Sequence, residues 1–400
     1  MARTREFKIG VSCLVLAGAL GIGSACLQGA SDAAEGGGGT AVGGEVPLFE
    51  VDPLWPQPLP NHWVLGSTIG VDVDSRDHVW IIHRQATVIP QELSLAQGTG
   101  DCCEAAPPVL EFDADGNVVG SWGGPGEGYD WPQSNHGITV DHMDNVWIGG
   151  NGAADSHLLK FTRDGRFLLQ VGQPNMRTGS NDQQNFWRVA EIEIDAEANE
   201  AYVADGYGNR RIAVLDIATG QMKRFWGAYG NVPDDGPLPP YSPDIPPAQQ
   251  FRSPMHCAQP SNDNLIYGCD RAGDRIQVFN PDGTFVREAF IAPETLGSGS
   301  VWDLAFSHDP EQRYIYLADG TNEKVHVIER ETLEVVTTFG DGGRYPGTFL
   351  GVHSIAVDTQ GNIYTTETYE GKRLQKHTFV GYGSPARDQG VVRPARTAAN

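Results

Sequence analysis

The chain has 400 residues, with 51 acidic against 28 basic side chains and a formal charge of −23. Nucleic acid is a poor partner for such a chain, because phosphate binding needs clustered Lys and Arg. With 40% hydrophobic residues it is not a disordered polyelectrolyte, and its 50 glycines and 26 prolines predict many turns between short strands.

The N-terminus reads as an export signal over residues 1–25. Arg3, Arg5 and Lys8 precede the mostly apolar run Ile9–Ile22, and Gly23-Ser24-Ala25 offers small residues for cleavage. The expected location is therefore periplasmic, secreted or cell-surface. Cys26 follows the small residues, where a lipid anchor is attached in lipoproteins, and this is the only membrane link expected. Gly23 stands where a large aliphatic is usual. Residues 26–60, with Gly36–Gly39, read as a flexible tether and lead-in.

From residue 61 to 380 one unit recurs: strand, turn, strand, loop, strand, turn, strand, ending in an aromatic or aliphatic residue plus Gly. The copy at Gly137–Asp141, Asn145–Ile148, His157–Phe161 and Phe167–Gly172 shows it well. Other first strands begin near Val71, Glu191, Cys257, Asp303 and Ser354. Asp-Gly turns at Asp115-Gly116, Asp164-Gly165 and Asp282-Gly283 join alternating apolar runs, which is hairpin chemistry. Six such copies predict an all-β, six-bladed propeller of NHL-type repeats. The sixth copy lacks its last strand, and Asn61–Gly66 carries the ending of one. That segment is expected to close the ring as an N-terminal strand, leaving residues 381–400 as a tail. Cys257 and Cys269 flank one hairpin, and Cys102 and Cys103 adjoin in a loop. Each pair reads equally as a disulfide or as buried thiols.

Aligned on the end of each first strand, one register position reads Ile69, His136, Ala190, His256, Trp302 and His353. Histidine falls on blades two, four and six alone. First strands line a propeller's channel, so three imidazoles should meet near its axis, a ligand set suited to Zn²⁺ with an open position. Loops opening at the same mouth carry Tyr207 and Arg271, and Arg84 ends a second strand there. A phenol and two guanidiniums beside a metal suit removal of a hydroxyl proton and binding of a carboxylate.

These residues resemble the peptidyl-α-hydroxyglycine α-amidating lyase family. The likeness is carried by His136–Asp141, Thr178–Phe186, Asp205–Ile212, Asp270-Arg271 with Asp274–Ile276, and His353-Ser354-Ile355. It implies zinc on His136, His256 and His353, Tyr207 as catalytic base, and Arg84 and Arg271 as catalytic and substrate-binding groups. The implied reaction splits a carbinolamide, N–CH(OH)–COO⁻, into an amide and glyoxylate, on a small-molecule or peptide substrate bearing a carboxylate. The family also holds a calcium ion on an aspartate after the third histidine and on main chain near Thr68 and Ile138. Ser354 occupies that aspartate's position, which weakens the case for Ca²⁺. The competing readings are a non-catalytic exported propeller that binds a protein or glycan, and a zinc hydrolase of another small acid.

Overall fold

A computed structural model of the chain describes residues 44–385. The expected signal, Cys26 and most of the C-terminal tail lie outside them. Among the described residues no helix is long and apolar enough to cross a membrane.

Six four-stranded antiparallel sheets surround one axis. Blade one runs Ser67–Val73, Val79–Arg84, Val109–Phe112 and Val118–Trp122 from the axis outward. Blades two to five repeat that order, with first strands at Asn135–Val140, Glu191–Asp195, Met255–Pro260 and Asp303–Phe306. Blade six has Val352–Val357 innermost, then Ile363–Glu367 and Leu374–Gly383. The Asp-Gly turns behave as their composition predicts. In blade one the Gly116 N–H returns to the Asp113 carbonyl at 2.9 Å, with Gly116 at φ 88°, a conformation that suits glycine.

The hydrophobic core lies between blades rather than inside them. One cluster joins Cys257, Tyr267 and Ile276 of blade four to Leu304, Ile315 and Leu317 of blade five. Another joins Val71 and Ile81 of blade one to Ala356 and Tyr364 of blade six. Innermost strands have no sheet partner on the axis side, and side chains from neighbouring blades satisfy part of their backbone. Asp72 accepts the Val140 N–H at 2.6 Å, and Asp303 accepts that of Ile355 at 3.0 Å.

The ring does close through an N-terminal strand, but the strand is Val46–Asp52, not residues 61–66. Val46–Asp52 pairs antiparallel with Leu374–Gly383, with a bulge between Leu48 and Phe49. Part of the expected tether is thus blade structure, and the third strand of blade six extends to Gly383. Pro60–His62 forms a single 3₁₀ turn, and Trp63-Val64 makes a short parallel pairing with Glu104-Ala105. Gly66 is not a blade ending. A Cβ there would meet the Arg84 carbonyl oxygen at 2.0 Å, so glycine permits the chain to pass under that strand. Both cysteine pairs, Cys102–Cys103 and Cys257–Cys269, are disulfides.

Phe49 is the anchor of the closing strand. It is 2% exposed and packs against Tyr316, Phe339 and Phe379 with ring centroids 5.3, 5.3 and 5.9 Å away. Phe49→Ala should lower stability by about 3–5 kcal/mol. A chain beginning at Leu54 should expose the Leu374–Gly383 edge and aggregate, whereas one beginning at Glu45 should not. Size-exclusion chromatography and thermal melts check both; a monomeric, cooperatively melting chain from Leu54 would show that the closing strand is dispensable.

Candidate active site

The register position read from the repeats puts His136, His256 and His353 together. Their ring centroids lie 4.9–5.3 Å apart and their ligand nitrogens within 4.8 Å of one another. Each sits near the start of a first strand, and each is at most 3% exposed. Burial holds all three well below the usual histidine pKa; Arg271 adds to the effect at each, Arg84 at His136 and His353, and neighbouring imidazoles at His256 and His353, so the rings are neutral.

Outer contacts fix two tautomers. His136 Nδ1 lies 2.6 Å from the Ala190 carbonyl, which requires a proton on Nδ1 and leaves Nε2 bare. His353 Nδ1 lies 3.1 Å from Ser354 Oγ, whose hydroxyl donates to the Ile69 carbonyl. The ring therefore donates from Nδ1 and again leaves Nε2 bare. This is the outer-sphere pattern of metal-binding histidines. The Tyr207 oxygen lies 3.2 Å from His136 Nε2 and 3.1 Å from His256 Nε2. Its single proton can serve the bare His136 Nε2. The bare Nε2 atoms of His136 and His353 thus converge with His256 Nε2 around one phenolic oxygen, an arrangement that a cation would complete.

Arg271 donates Nη1–H to the Tyr207 oxygen at 3.1 Å and Nε–H to the Ser298 carbonyl at 2.9 Å. Its guanidinium stacks on Trp302, 4.0 Å from the ring centroid. Arg84 donates to the Asn135 carbonyl and to Asn151 Oδ1 at 2.9 Å. Burial depresses the Arg84 pKa, and the phenols of Tyr207 and Tyr369 oppose that shift. All six residues expected at the mouth are therefore brought together.

Sequence reasoning missed several neighbours. Arg188 lies over the Tyr207 ring at 5.8 Å and donates to the Asn151 carbonyl. Asn151 thus positions two arginines. Trp302 holds the histidine register position in blade five and packs on His353 at 5.6 Å. A charge two residues before that register position was the available signal for Arg188. The interruption of the histidine series by tryptophan was the signal for Trp302.

Two other clusters bring His, Cys, Asp or Glu atoms equally close. Asp74, His78 and Glu111 already hold the Arg163 guanidinium. In the Glu191–Cys257–Asp303 cluster the sulfur is committed to its disulfide. At the position where the resemblance implies calcium, Ser354 offers a hydroxyl in place of a carboxylate, and that hydroxyl donates to the Ile69 carbonyl.

No family model matches the chain. It is 26% identical over 348 residues to peptidyl-alpha-hydroxyglycine alpha-amidating lyase 1 of Drosophila melanogaster, across 82% of this chain and 58% of that protein. It is 27% identical over 239 residues to peptidyl-glycine alpha-amidating monooxygenase B of Xenopus laevis, across 58% of this chain and 25% of that protein. The chain resembles the amidating lyases over most of its propeller. It spans 58% and 25% of the lengths of these two relatives. Among solved structures, a streptogramin B lyase superposes with a TM-score of 0.51 at 12% identity, covering 85% of this chain and 100% of that one. A protein of unknown function from Bacteroides thetaiotaomicron gives 0.50 at 13%, covering 84% and 76%. These two likenesses show the propeller fold alone.

Deeper along the axis the first strands carry Asp72, Glu191, Glu193 and Asp303. Burial pushes the Asp72 and Asp303 carboxyls from 3.8 up to about 7. Glu191 and Glu193 are raised as well, first by burial and then by their acidic neighbours. Surface area leaves Asp72, Glu191 and Glu193 partly open to the channel, yet protein surrounds them, and enclosure dominates their protonation. A raised carboxyl pKa means the folded chain binds more protons than the unfolded one. The associated stability is complete below about pH 4 and is lost as pH rises through about 7. Glu193→Gln removes one like charge, so metal-free variant should lose less stability between about pH 5 and pH 8 than the unaltered protein. Thermal melts at both pH values test this, and an equal loss would contradict it.

Proposed function

We propose that the protein is a zinc-dependent lyase that cleaves the C–N bond of an N-acyl or peptidyl α-hydroxyglycine, giving an amide and glyoxylate. One observation carries the reading. A half-buried tyrosine offers one oxygen to two imidazoles of a three-histidine cluster and to a guanidinium at the same time. The likeness to an amidating lyase over 82% of the chain supports it.

His136, His256 and His353 would hold the zinc through Nε2, with Nδ1 of His136 and His353 anchored behind. Bound there, zinc supplies Lewis acidity toward the substrate hydroxyl and carboxylate oxygens. The chain's own groups do the rest. Arg271, already braced by Ser298 and Trp302, grips the carboxylate together with Arg84. Tyr207 would act as the phenolate, its proton given up as the cation takes its place among the imidazoles, and that oxygen, held by Arg271 Nη1, takes the hydroxyl proton. As the carbinol oxygen becomes a carbonyl, the C–N bond breaks and its electron pair passes to the amide nitrogen. That nitrogen gains one proton, returned from Tyr207, so RCO–NH–CH(OH)–COO⁻ becomes RCO–NH₂ and OHC–COO⁻ with nothing left over. The basic and apolar N-terminal segment, together with two disulfides, supports an exported enzyme.

His256→Ala should abolish stoichiometric zinc while the propeller melts cooperatively, since inter-blade packing and not the metal forms the core. Elemental analysis and circular dichroism read this. Retained zinc would remove the three-histidine site, and an unaltered protein that never takes up zinc would favour a binding module. Tyr207→Phe keeps the ring and the histidines, so zinc should stay while glyoxylate release falls roughly 10²–10⁴-fold. A near-normal kcat in zinc-loaded Tyr207→Phe would exclude this tyrosine as the base.

A further inference from the structure

The chain carries a large excess of negative charge, yet its mouth is arginine-rich. Many other arginines pair with carboxylates, as Arg163 does with Asp74, Arg211 with Asp205, Arg275 with Asp270 and Arg373 with Glu367. Among the described residues Arg84, Arg188, Arg210, Arg252 and Arg271 form no ion pair, and neither do Arg166, Arg177, Arg287 and Arg344; what sets the first five apart is their place around Tyr207 and the loops beside it. One substrate carboxylate occupies Arg271 and Arg84. The remaining guanidiniums exceed what that single charge calls for.

Two of them face a separate cavity of about 430 Å³ beside the site. Its wall includes Arg210, Arg252, Leu238, Pro240 and Leu296, and no carboxylate. It adjoins the reaction centre on two sides. Ser253, another wall residue, donates its hydroxyl to the Tyr207 carbonyl at 3.0 Å. Ala272 and Gly297 of the wall directly neighbour Arg271 and Ser298, the pair joined by the Arg271 Nε hydrogen bond. Main-chain carbonyls aim both guanidiniums. Arg210 Nη1 donates to Asp234 and Gly236, the latter at 2.7 Å, and Arg252 Nη1 donates to Pro239 at 2.7 Å. Arg252 also stacks on Tyr241 at 5.4 Å.

Two like charges facing one cavity repel each other. Burial lowers the Arg252 pKa; Asp270 opposes that shift, Arg275 and Arg210 add to it, and the Tyr241 phenol opposes it. Asp270 is itself committed to Arg275 and to the Arg252 backbone. An anion in the cavity would relieve this repulsion.

We propose that this cavity binds an oxyanion, carboxylate or phosphate, at the end of an aliphatic acyl chain, so that the substrate's amide portion carries a second negative charge. Leu238, Pro240 and Leu296 supply apolar wall for the methylenes between the amide and that charge. The proposal rests on the lyase reading for the position of the amide, and it names the substrate class of that site.

The test compares N-glutaryl-, N-(ω-phosphonobutanoyl)- and N-pentanoyl-α-hydroxyglycine, matched in length, by glyoxylate release. One or both anionic substrates should exceed the pentanoyl one in kcat/KM by about tenfold or more, the scale of a charged hydrogen bond made or lost. The two anionic arms tell carboxylate from phosphate. Leu296→Glu places a competing carboxylate in the cavity from a position that is 60% exposed, so the fold should tolerate it. In that variant, and in Arg252→Gln, the ratio should collapse toward one. Equal kcat/KM for all three substrates, or a ratio that survives both changes, would overturn the proposal. Calorimetry with the corresponding amides separates it from the lyase reading. Glutaramate or its phosphonate counterpart should bind about tenfold tighter than pentanamide, less so in high salt and not in Leu296→Glu. If that holds while no α-hydroxyglycine is cleaved, the anion site stands and the lyase reading falls. If pentanoyl-α-hydroxyglycine is cleaved but no anionic amide binds preferentially, the lyase reading stands and this proposal falls.

Discussion

The pairing of Val46–Asp52 with Leu374–Gly383 ties the front of the chain to its last blade, and the geometry at the mouth depends on it. Six blades give a fixed angle between neighbours only when the ring is closed. His136, His256 and His353 come from alternate blades, and the two outermost in sequence are 217 residues apart (353 minus 136). Their nitrogens meet because each first strand is held at the same depth along one axis. Phe49, buried among aromatic rings of blades five and six, is the packing part of that closure. Backbone-to-carboxylate contacts through Asp72 and Asp303 are the polar part.

Charge is sorted along the same axis. Carboxyls of Asp72, Glu191, Glu193 and Asp303 gather deep in the channel, where enclosure keeps protons on them near neutrality. The neutral imidazoles come next, and the arginines surround the opening. Guanidiniums without ion partners at a mouth attract anions, and low-dielectric walls strengthen that attraction. The net charge of the whole chain conceals this local reversal of sign.

Much of the site was legible because a propeller converts sequence register into spatial position. Histidine at one repeat position on every second blade implied convergence at the axis. Counting within the second-to-third strand loops found Tyr207 and Arg271, and the end of a second strand gave Arg84. Where the register was not periodic the reading failed. Asn61–Gly66 imitates a blade ending, but Gly66 is there to pass the Arg84 carbonyl. The true closing strand was written as Val46, Phe49 and Val51, with its alternation interrupted by a bulge.

The sequence by itself determined the number of blades, the histidine set and the residue types at the mouth, because these follow from local periodicity repeated six times. Only the tertiary structure decided which partners orient them. Asn151 holding Arg84 and Arg188, Trp302 under Arg271, and the Ile69 carbonyl accepting from the Ser354 hydroxyl behind His353 are contacts between different blades, or between a strand and a distant loop. The cavity of Arg210 and Arg252 is shaped by the non-repeating segment around Leu238 and by the loop of Leu296. Segments outside the repeat have no register to count from, so their placement emerges only when the whole ring has packed.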